Sequence, residues 1–353
     1  MKILLISFST RGAIGDYFFL LALELAKKEN VFLMVPSYFD RKIENAKIFR
    51  FKMGNSKIIS FFNLINPLLI LKILSFIKKE RFDIVHLIFG EGYPPMLILA
   101  PYLEKKKIPL IITIHDPEIH PGKIVEKLSG FLRKFVIKLA AGIHIHTELF
   151  RERIKEMGIS GNKIFIIPHG SFAPLFEKYK KPNVQKENWI LFFGRLEKYK
   201  GLEYFIEAGL KFKEDFKFVI AGPGKLDKQL LDKIKQNPEK FILINKFLSN
   251  EEVADLFQRS KVCVLPYIQA TQSSIPLISA YFSVPVVATK VGNFIEEIPL
   301  INGVLVESRN ADSLVDGIYK AINLKPVYPT DREFTNLSEK FINLYQDLLN
   351  KSK

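Results

Sequence analysis

The segment Phe192–Gly201, FFGRLEKYKG, brings cations close together, among them Arg195 and Lys200. A buried strand is expected to end at Gly194, which leaves Arg195 and Lys200 in the loop ahead of the next helix. Fixed cations at the carboxyl end of a strand can hold a diphosphate and stabilise the charge that grows on it as it leaves. A pair of solvated surface cations is the alternative, and this segment alone does not choose. Three later segments repeat the arrangement of strand, turn and helix. Ile220–Lys225 (IAGPGK) offers Gly222 and Gly224, where backbone could come close to a ligand, although such a turn by itself is weak evidence. Val264–Ala288 places Gln269, Thr271, Gln272, Ser273 and Ser274 in a polar loop before a helix that starts near Pro276. The amides at Ser274 and Ile275 would then form an anion site. Val291–Glu297 (VGNFIEE) is a further turn after a strand and contains Glu296.

The chain has six histidines. His115 and Asp116 follow a predicted strand, and His120 lies in the loop HDPEIHPG, where it could face a second substrate. His144 and His146 alternate on one predicted strand (HIHT). A metal site there lacks an obvious third ligand, so the pair reads as buried and hydrogen-bonded, and no metal is assigned. His86, on a buried strand, reads as structural. The single cysteine, Cys263, excludes a disulfide framework and a cysteine zinc site within one chain. No Asp-x-Asp segment occurs, and no paired carboxylates for a double displacement are evident.

The elements that must position these residues alternate between strand and helix. In the first half, strands are expected at Lys2–Ser7, Val31–Val35, Phe82–Phe89, Leu110–Ile114, Ala141–His146 and Lys163–Ile167, with a glycine turn at Arg11–Asp16 before a helix at Tyr17–Lys28. Continuous apolar runs such as FDIVHLIF suit strands covered on both faces of a parallel sheet. Residues 171–187 are poor in periodicity and rich in proline, and read as a linker. The alternation then restarts, with strands at Trp189–Phe193, Lys217–Ala221, Phe241–Ile244, Val262–Leu265, Val286–Ala288 and Gly303–Val306. Helices are expected at Leu202–Phe212, Leu226–Gln236, Asn250–Arg259 and Ile275–Phe282, and a last one over Asp331–Asn350 has no strand to follow. The expected organisation is an α/β protein with two doubly wound, Rossmann-like domains, 1–170 and 188–330, facing each other across a cleft. The last segment, 331–353, is expected to cross back to the first domain.

These motifs, in this order, resemble glycosyltransferase family 4, of GT-B fold, over nearly the whole chain. Gly194, Arg195, Lys200 and Gly201 match the family's G-R-x-x-x-x-K-G segment, and Gly222 and Gly224 its later glycine pair. Pro285–Ala288 matches a Pro-Val-Val-Ala strand. Gly292 and Glu296 match a Gly-Gly-x-x-Glu turn, with Asn293 for the second glycine. Asn302–Val306 matches Asn-Gly-x-Leu-Val. In the first half, Asp83–His86, Thr113–Asp116 and Pro168–Gly170 look like Asp-Val-Val-His, Thr-x-His-Asp and Pro-Asn-Gly. The resemblance implies a UDP- or GDP-sugar donor on the second domain, no other cofactor, retention of anomeric configuration, and a diphosphate between Arg195, Lys200 and the amides of Ser274 and Ile275. It implies a base near Phe247 and Leu248, His115 near the donor sugar, and an acceptor entering past Gly12–Gly15 and the loop from His115 to His120. One departure is serious. The family's two glutamates before the Pro-Val-Val-Ala strand fall on Thr271 and Ser279. Ser279 could still make one ribose hydrogen bond, and Thr271 and Gln272 could bind the sugar. A non-catalytic nucleotide-sugar-binding subunit is therefore the competing reading, and an epimerase on the same fold a third.

Charge adds a partner. The formal net charge is +15, and residues 1–170 hold 26 Lys and Arg against 15 Asp and Glu. That excess suits an anionic membrane surface bearing a lipid-linked acceptor, as in cell-surface polysaccharide biosynthesis, or a Lys-rich solvated surface. No nucleic acid is expected. Amphipathic stretches with interspersed cations recur at Leu68–Lys79 and Lys123–Lys138. The apolar run Ile59–Ile77 reads as a half-buried helix rather than a span, because Asn63, Asn66, Pro67 and Lys72 interrupt it. The opening MKILLISFSTRG reads as a strand and turn rather than a signal, which implies a cytoplasmic protein, peripheral at the membrane's inner face.

Overall fold

The computed structural model describes residues 1–53, 63–117 and 124–351, with side chains of the last stretch described from residue 129. Two units result, Met1–Gly170 together with Asp331–Lys353, and Ser171–Thr330.

The first unit holds strands β1 (Lys2–Ser7), β2 (Asn30–Pro36), β3 (Lys47–Phe51), β4 (Ile84–Phe89), β5 (Leu110–Thr113), β6 (Gly142–Ile145) and β7 (Ile164–Ile166). They form one parallel sheet in the order β3-β2-β1-β4-β5-β6-β7. Central strands such as β1 and β4 are mostly apolar because helices cover both faces, and Leu4, Ile6, Val85 and Leu87 are wholly buried. The helices of this part are α1 (Gly12–Ala26), α2 (Pro67–Glu80), α3 (Met96–Lys105), α4 (Ile124–Lys138) and α5 (Arg151–Glu156). Strand β3 (KIFRF) was not expected from the sequence, since an edge strand with alternating charge has no continuous apolar run.

Two helix starts differ from the sequence reading, one through a close backbone contact and one through a local cap. The segment expected as a glycine turn is the first turn of α1, with Gly15 buried inside the helix. Glycine is a poor helix former, but at this position a Cβ would stand 2.1 Å from the Thr10 carbonyl oxygen, so only glycine fits. Helix α2 starts at Pro67 because Asn66 caps it, its side chain accepting the Leu68 N–H at 2.9 Å. It buries Ile73 and Ile77 and leaves Leu68 and Leu71 exposed. Among the described residues no helix is long and apolar enough to cross a membrane.

The second unit holds β8 (Trp189–Phe193), β9 (Lys217–Ala221), β10 (Phe241–Ile244), β11 (Val262–Leu265), β12 (Val286–Thr289) and β13 (Val304–Val306), parallel in the order β10-β9-β8-β11-β12-β13. Its helices are α6 (Leu202–Lys211), α7 (Lys228–Gln236), α8 (Asn250–Arg259), α9 (Ile275–Tyr281), α10 (Phe294–Leu300) and α11 (Ala311–Ala321). The sharp start of α8 comes from a capping box between Ser249 and Glu252. Helices α10 and α11 were not expected. The first reads as a turn followed by a proline-interrupted run, and the second starts where Asn310 accepts the Ser313 N–H at 3.0 Å. The proline-rich segment after Gly170 belongs to this unit. Phe176 packs on Phe282 at 6.1 Å between ring centres, and Gln258 accepts the Lys181 N–H at 2.6 Å. The last helix, α12 (Phe334–Lys351), closes on the first unit as its lack of a following strand suggested. It packs against α1, where Lys28 pairs with Glu339 at 2.8 Å.

Candidate functional site

In the second unit the loops after β8, β9, β11 and β12 emerge at the carboxyl edge of the sheet. Lys200 lies deep among them and is 8 % exposed. A Cβ placed on Gly194 would stand 2.5 Å from the Lys200 Nζ and 3.5 Å from the Ile275 Cδ1, so Gly194, Lys200 and Ile275 meet at one point. Lys200 donates to the Tyr267 hydroxyl at 2.7 Å, and its Nζ lies 4.7 Å from the centre of that ring. Burial, followed by the neighbouring Arg195 charge, pulls its pKa down to about 8. Its hydrogen-bond partner is a neutral phenol, and among the described residues no carboxylate forms an ion pair with it.

Arg195 is its opposite. Its side chain is 65 % exposed and pairs with Glu197 at 2.7 Å. An exposed pair of this kind contributes roughly 0–1 kcal/mol, so the guanidinium can exchange Glu197 for a stronger anion at small cost.

The glycines let neighbouring loops pack closely. Gly222 has φ +138, and a Cβ there would stand 2.1 Å from the Gly194 carbonyl oxygen. A Cβ on Gly224 would stand 2.6 Å from that of Leu196, and the Leu196 N–H donates to the Pro223 carbonyl at 2.8 Å. Their missing side chains make room for the loop carrying Arg195. Gly292, at φ +50, does the same for the polar loop, since its Cβ would fall 1.5 Å from the Ala270 carbonyl oxygen.

Within the polar loop, Thr271, Gln272 and Ser274 are half-buried. The Gln272 amide nitrogen is out of solvent and has no hydrogen-bond partner. Ser273 accepts the Ile275 N–H at 3.3 Å. Ser279, read as a ribose contact, is fully buried, and its hydroxyl donates to the Val284 carbonyl at 2.8 Å. It lies in the seven-residue helix α9, all of which is buried except Tyr281. Glu296 is exposed in the first turn of α10, whereas its neighbour Glu297 is buried. Phe247 is 85 % exposed just beyond β10, beside the half-buried Leu248. Tyr267 escaped the sequence reading. Its signal was an aromatic directly after the β11 strand, and it forms the floor for Lys200.

In the first unit, Gly12 is exposed at the start of α1. His115 is half-buried just past β5, its Nε2 3.1 Å from the Ile88 carbonyl and its Nδ1 3.0 Å from the His146 Nε2. Burial is the main cause of a pKa drawn down to about 3, followed by the neighbouring His169 and His144. The Tyr17 ring stands edge-on to both His115 and His146, at 5.1 and 5.2 Å. His144 reaches Thr113 at 2.9 Å and the Ile167 carbonyl at 2.8 Å, and His86 reaches Thr113 at 2.8 Å and the Tyr345 hydroxyl at 2.6 Å. The Asp116 carbonyl accepts from Arg133 at 2.6 Å, and Arg133 also pairs with Glu91 at 3.1 Å, so this stretch is braced from α4. His120 lies outside the described residues. Among the described residues no group of three or more His, Cys, Asp or Glu side chains is arranged to hold a metal ion.

Residues 14–171 match the family described as Glycosyltransferase Family 4, and residues 187–323 the one described as Glycosyl transferases group 1. A Campylobacter jejuni α-1,4-N-acetyl-D-galactosaminyltransferase, named for an undecaprenol-diphosphate-linked GalNAc substrate, is 28 % identical over 187 residues. The match covers 50 % of this chain and 48 % of that protein, so the chain spans about half the length of this relative. Sucrose-phosphate synthase from Thermosynechococcus elongatus shares the fold at a TM-score of 0.73 and 15 % identity, over 99 % of each chain. HepE from Anabaena, in complex with UDP, shares it at a TM-score of 0.67 and 14 % identity, over 99 % of this chain and 98 % of that one.

Proposed function

This chain belongs to glycosyltransferase family 4, and on that premise we propose that it moves a sugar from a UDP- or GDP-sugar to an acceptor hydroxyl, with retention and without a metal. The observation that carries this reading is Lys200, a buried cation held by Tyr267 beside Gly194 and Ile275. Burying an ammonium is costly, and an arriving diphosphate offsets that cost.

In the reaction, the bond from the sugar's anomeric carbon to the diphosphate breaks. The acceptor oxygen bonds to that carbon on the same face and passes its proton to the departing phosphate. Lys200 and Arg195 stabilise the charge gathering on the diphosphate, a role a metal fills elsewhere. Arg195 exchanges Glu197 for the phosphate as the donor arrives. Thr271 and Gln272 take the sugar hydroxyls in place of the family's first glutamate, and the unpartnered Gln272 amide supports that role. Ser279 is left out of the donor site, so the ribose depends on Glu296 and on backbone groups. Phe247 and Leu248 receive the base. The HepE complex with UDP favours a uridine nucleotide.

Gly12, His115 and Asp116 stand on the acceptor side. A lipid-linked acceptor fits best, because the C. jejuni relative is named for one. The first unit can meet it at an anionic membrane surface. Helix α2 exposes Leu68 and Leu71, α4 exposes Phe131 and Phe135, and Lys72, Lys78, Lys79, Lys134 and Lys138 lie on the same helices.

The test starts with thermal shifts of the purified protein across UDP-, GDP- and ADP-sugars, then measures hydrolysis and transfer with the sugar that stabilises it. Stabilisation followed by turnover supports the reading. Stabilisation without any turnover points to a binding subunit, and no stabilisation by any sugar nucleotide refutes the donor site.

A further inference from the structure

We infer that His146 is a positioning residue for His115, which it holds with the proton on Nε2 and the Nδ1 lone pair capped. The assignment follows from acceptors that cannot donate. The Ile88 carbonyl faces the His115 Nε2 at 3.1 Å, so that nitrogen carries the hydrogen and Nδ1 is bare. The His146 Nε2 stands 3.0 Å from this bare nitrogen. If it were bare too, two lone pairs would face each other inside the protein. The hydrogen of His146 therefore sits on Nε2 and points at His115.

In either order of these two neutral rings one bare nitrogen must face a carbonyl, and in this order it is the His146 Nδ1, at the longer distance. That nitrogen is 3.3 Å from the Ile167 carbonyl, the longest contact of the group, and that carbonyl already accepts from the His144 Nε2 at 2.8 Å. The same carbonyl orders a second chain. With His144 protonated on Nε2, its Nδ1 accepts from the Thr113 hydroxyl at 2.9 Å. Thr113 then accepts from the His86 Nε2 at 2.8 Å, and the His86 Nδ1 accepts from Tyr345 on α12 at 2.6 Å. Every donor in that chain finds an acceptor while all rings stay neutral. His144 thus occupies Ile167 and leaves His146 to serve His115. Tyr17 holds the planes of both rings by edge-on contact.

The consequence is chemical. Only Nδ1 of His115 can exchange its protein partner for a substrate hydroxyl, because the Ile88 carbonyl keeps Nε2 occupied. His115 then acts as a hydrogen-bond acceptor and never as the acid. That role in the reaction rests on the transferase reading above, whereas the proton assignment does not.

The experiment uses the full chain with 15N-labelled histidine, and long-range 15N–1H spectra that report the protonation of each ring nitrogen. His115 is expected to be neutral with its proton on Nε2, and its Nδ1 signal displaced by the bond from His146. His146→Phe should move that signal to the value of an uncapped nitrogen, and His146→Gln, whose amide can donate from the same place, should restore it. Circular dichroism confirms that each variant is folded. With an active donor in hand, His146→Phe should lower kcat about tenfold with little change in donor KM, and His146→Gln should recover most of it. A proton on Nδ1 of His115 in the wild type, or a signal indifferent to His146→Phe in the folded variant, overturns the inference whether or not the chain proves to be a transferase. A loss of kcat equal in the Phe and Gln variants overturns the positioning role alone.

Discussion

Mild acid should destabilise the first unit before its carboxylates titrate. His86, His144 and His146 are 0, 0 and 4 % exposed, and burial is the leading cause of a lowered pKa for each, down to about 4 for His144. An imidazole in the unfolded chain has a pKa of about 6.5. Below that value the unfolded chain binds protons that the folded unit refuses. The stability these groups permit is therefore fully present above pH 6.5 and falls as the pH drops towards their folded values. At pH 5.5 a ring that stays neutral costs on the order of 1 kcal/mol, so the three together cost a few kcal/mol. Against a typical total of about 5–15 kcal/mol, that loss is large. Urea titrations at pH 7.5, 6.5 and 5.5 measure it. Far-UV circular dichroism follows both units, and fluorescence of the single tryptophan, Trp189 on β8, follows the second. The dichroism midpoint should shift to lower urea between pH 6.5 and 5.5, and a His86→Gln, His144→Gln double variant should show a shallower pH slope. A midpoint independent of pH over this range, or a slope untouched in the double variant, refutes the argument that these rings are held neutral.

Further outcomes follow from the second unit and from the surface of the first. Lys200→Ala and Arg195→Ala should each lower turnover by roughly a hundredfold or more with the fold intact, and near wild-type kcat in both would dismiss the charge assignment. Transfer should survive excess EDTA, whereas loss restored by magnesium or manganese would reverse the metal-free reading. Gly222→Ala should destabilise the second unit by about 2 kcal/mol or more, because its Cβ would meet the Gly194 carbonyl, and an unchanged urea midpoint would contradict this packing. Liposome co-sedimentation should increase with anionic lipid and weaken with salt, since each well-placed cation adds about 1 kcal/mol, and equal binding to neutral liposomes would remove the membrane from the account.

Strands β8, β9, β10 and β11 were legible in the sequence to the residue because a parallel strand buried on both faces must be a short continuous apolar run, and no neighbour is needed to see it. The order of the loops that follow, and so the placing of Lys200, Gly222, the polar loop and Glu296 on one sheet edge, came with those strands. Elements lacking an apolar run were hidden, as with the edge strand β3. So was the first turn of α1, where Gly15 obeys a contact with Thr10 rather than a helix preference. The sequence by itself determined which residues could do chemistry. Tertiary structure decided which of them are free to do it, because that depends on partners distant in the chain. Lys200 and Arg195 look alike in sequence, yet Tyr267 buries one and solvent surrounds the other. Ser279 looks available, but the Val284 carbonyl takes its hydroxyl. Histidines on β4 and β6 and in the loops after β5 and β6 look unrelated, and only the register of β4, β5 and β6 brings their ring nitrogens within hydrogen-bond reach, where the Ile88 and Ile167 carbonyls order the protons they share.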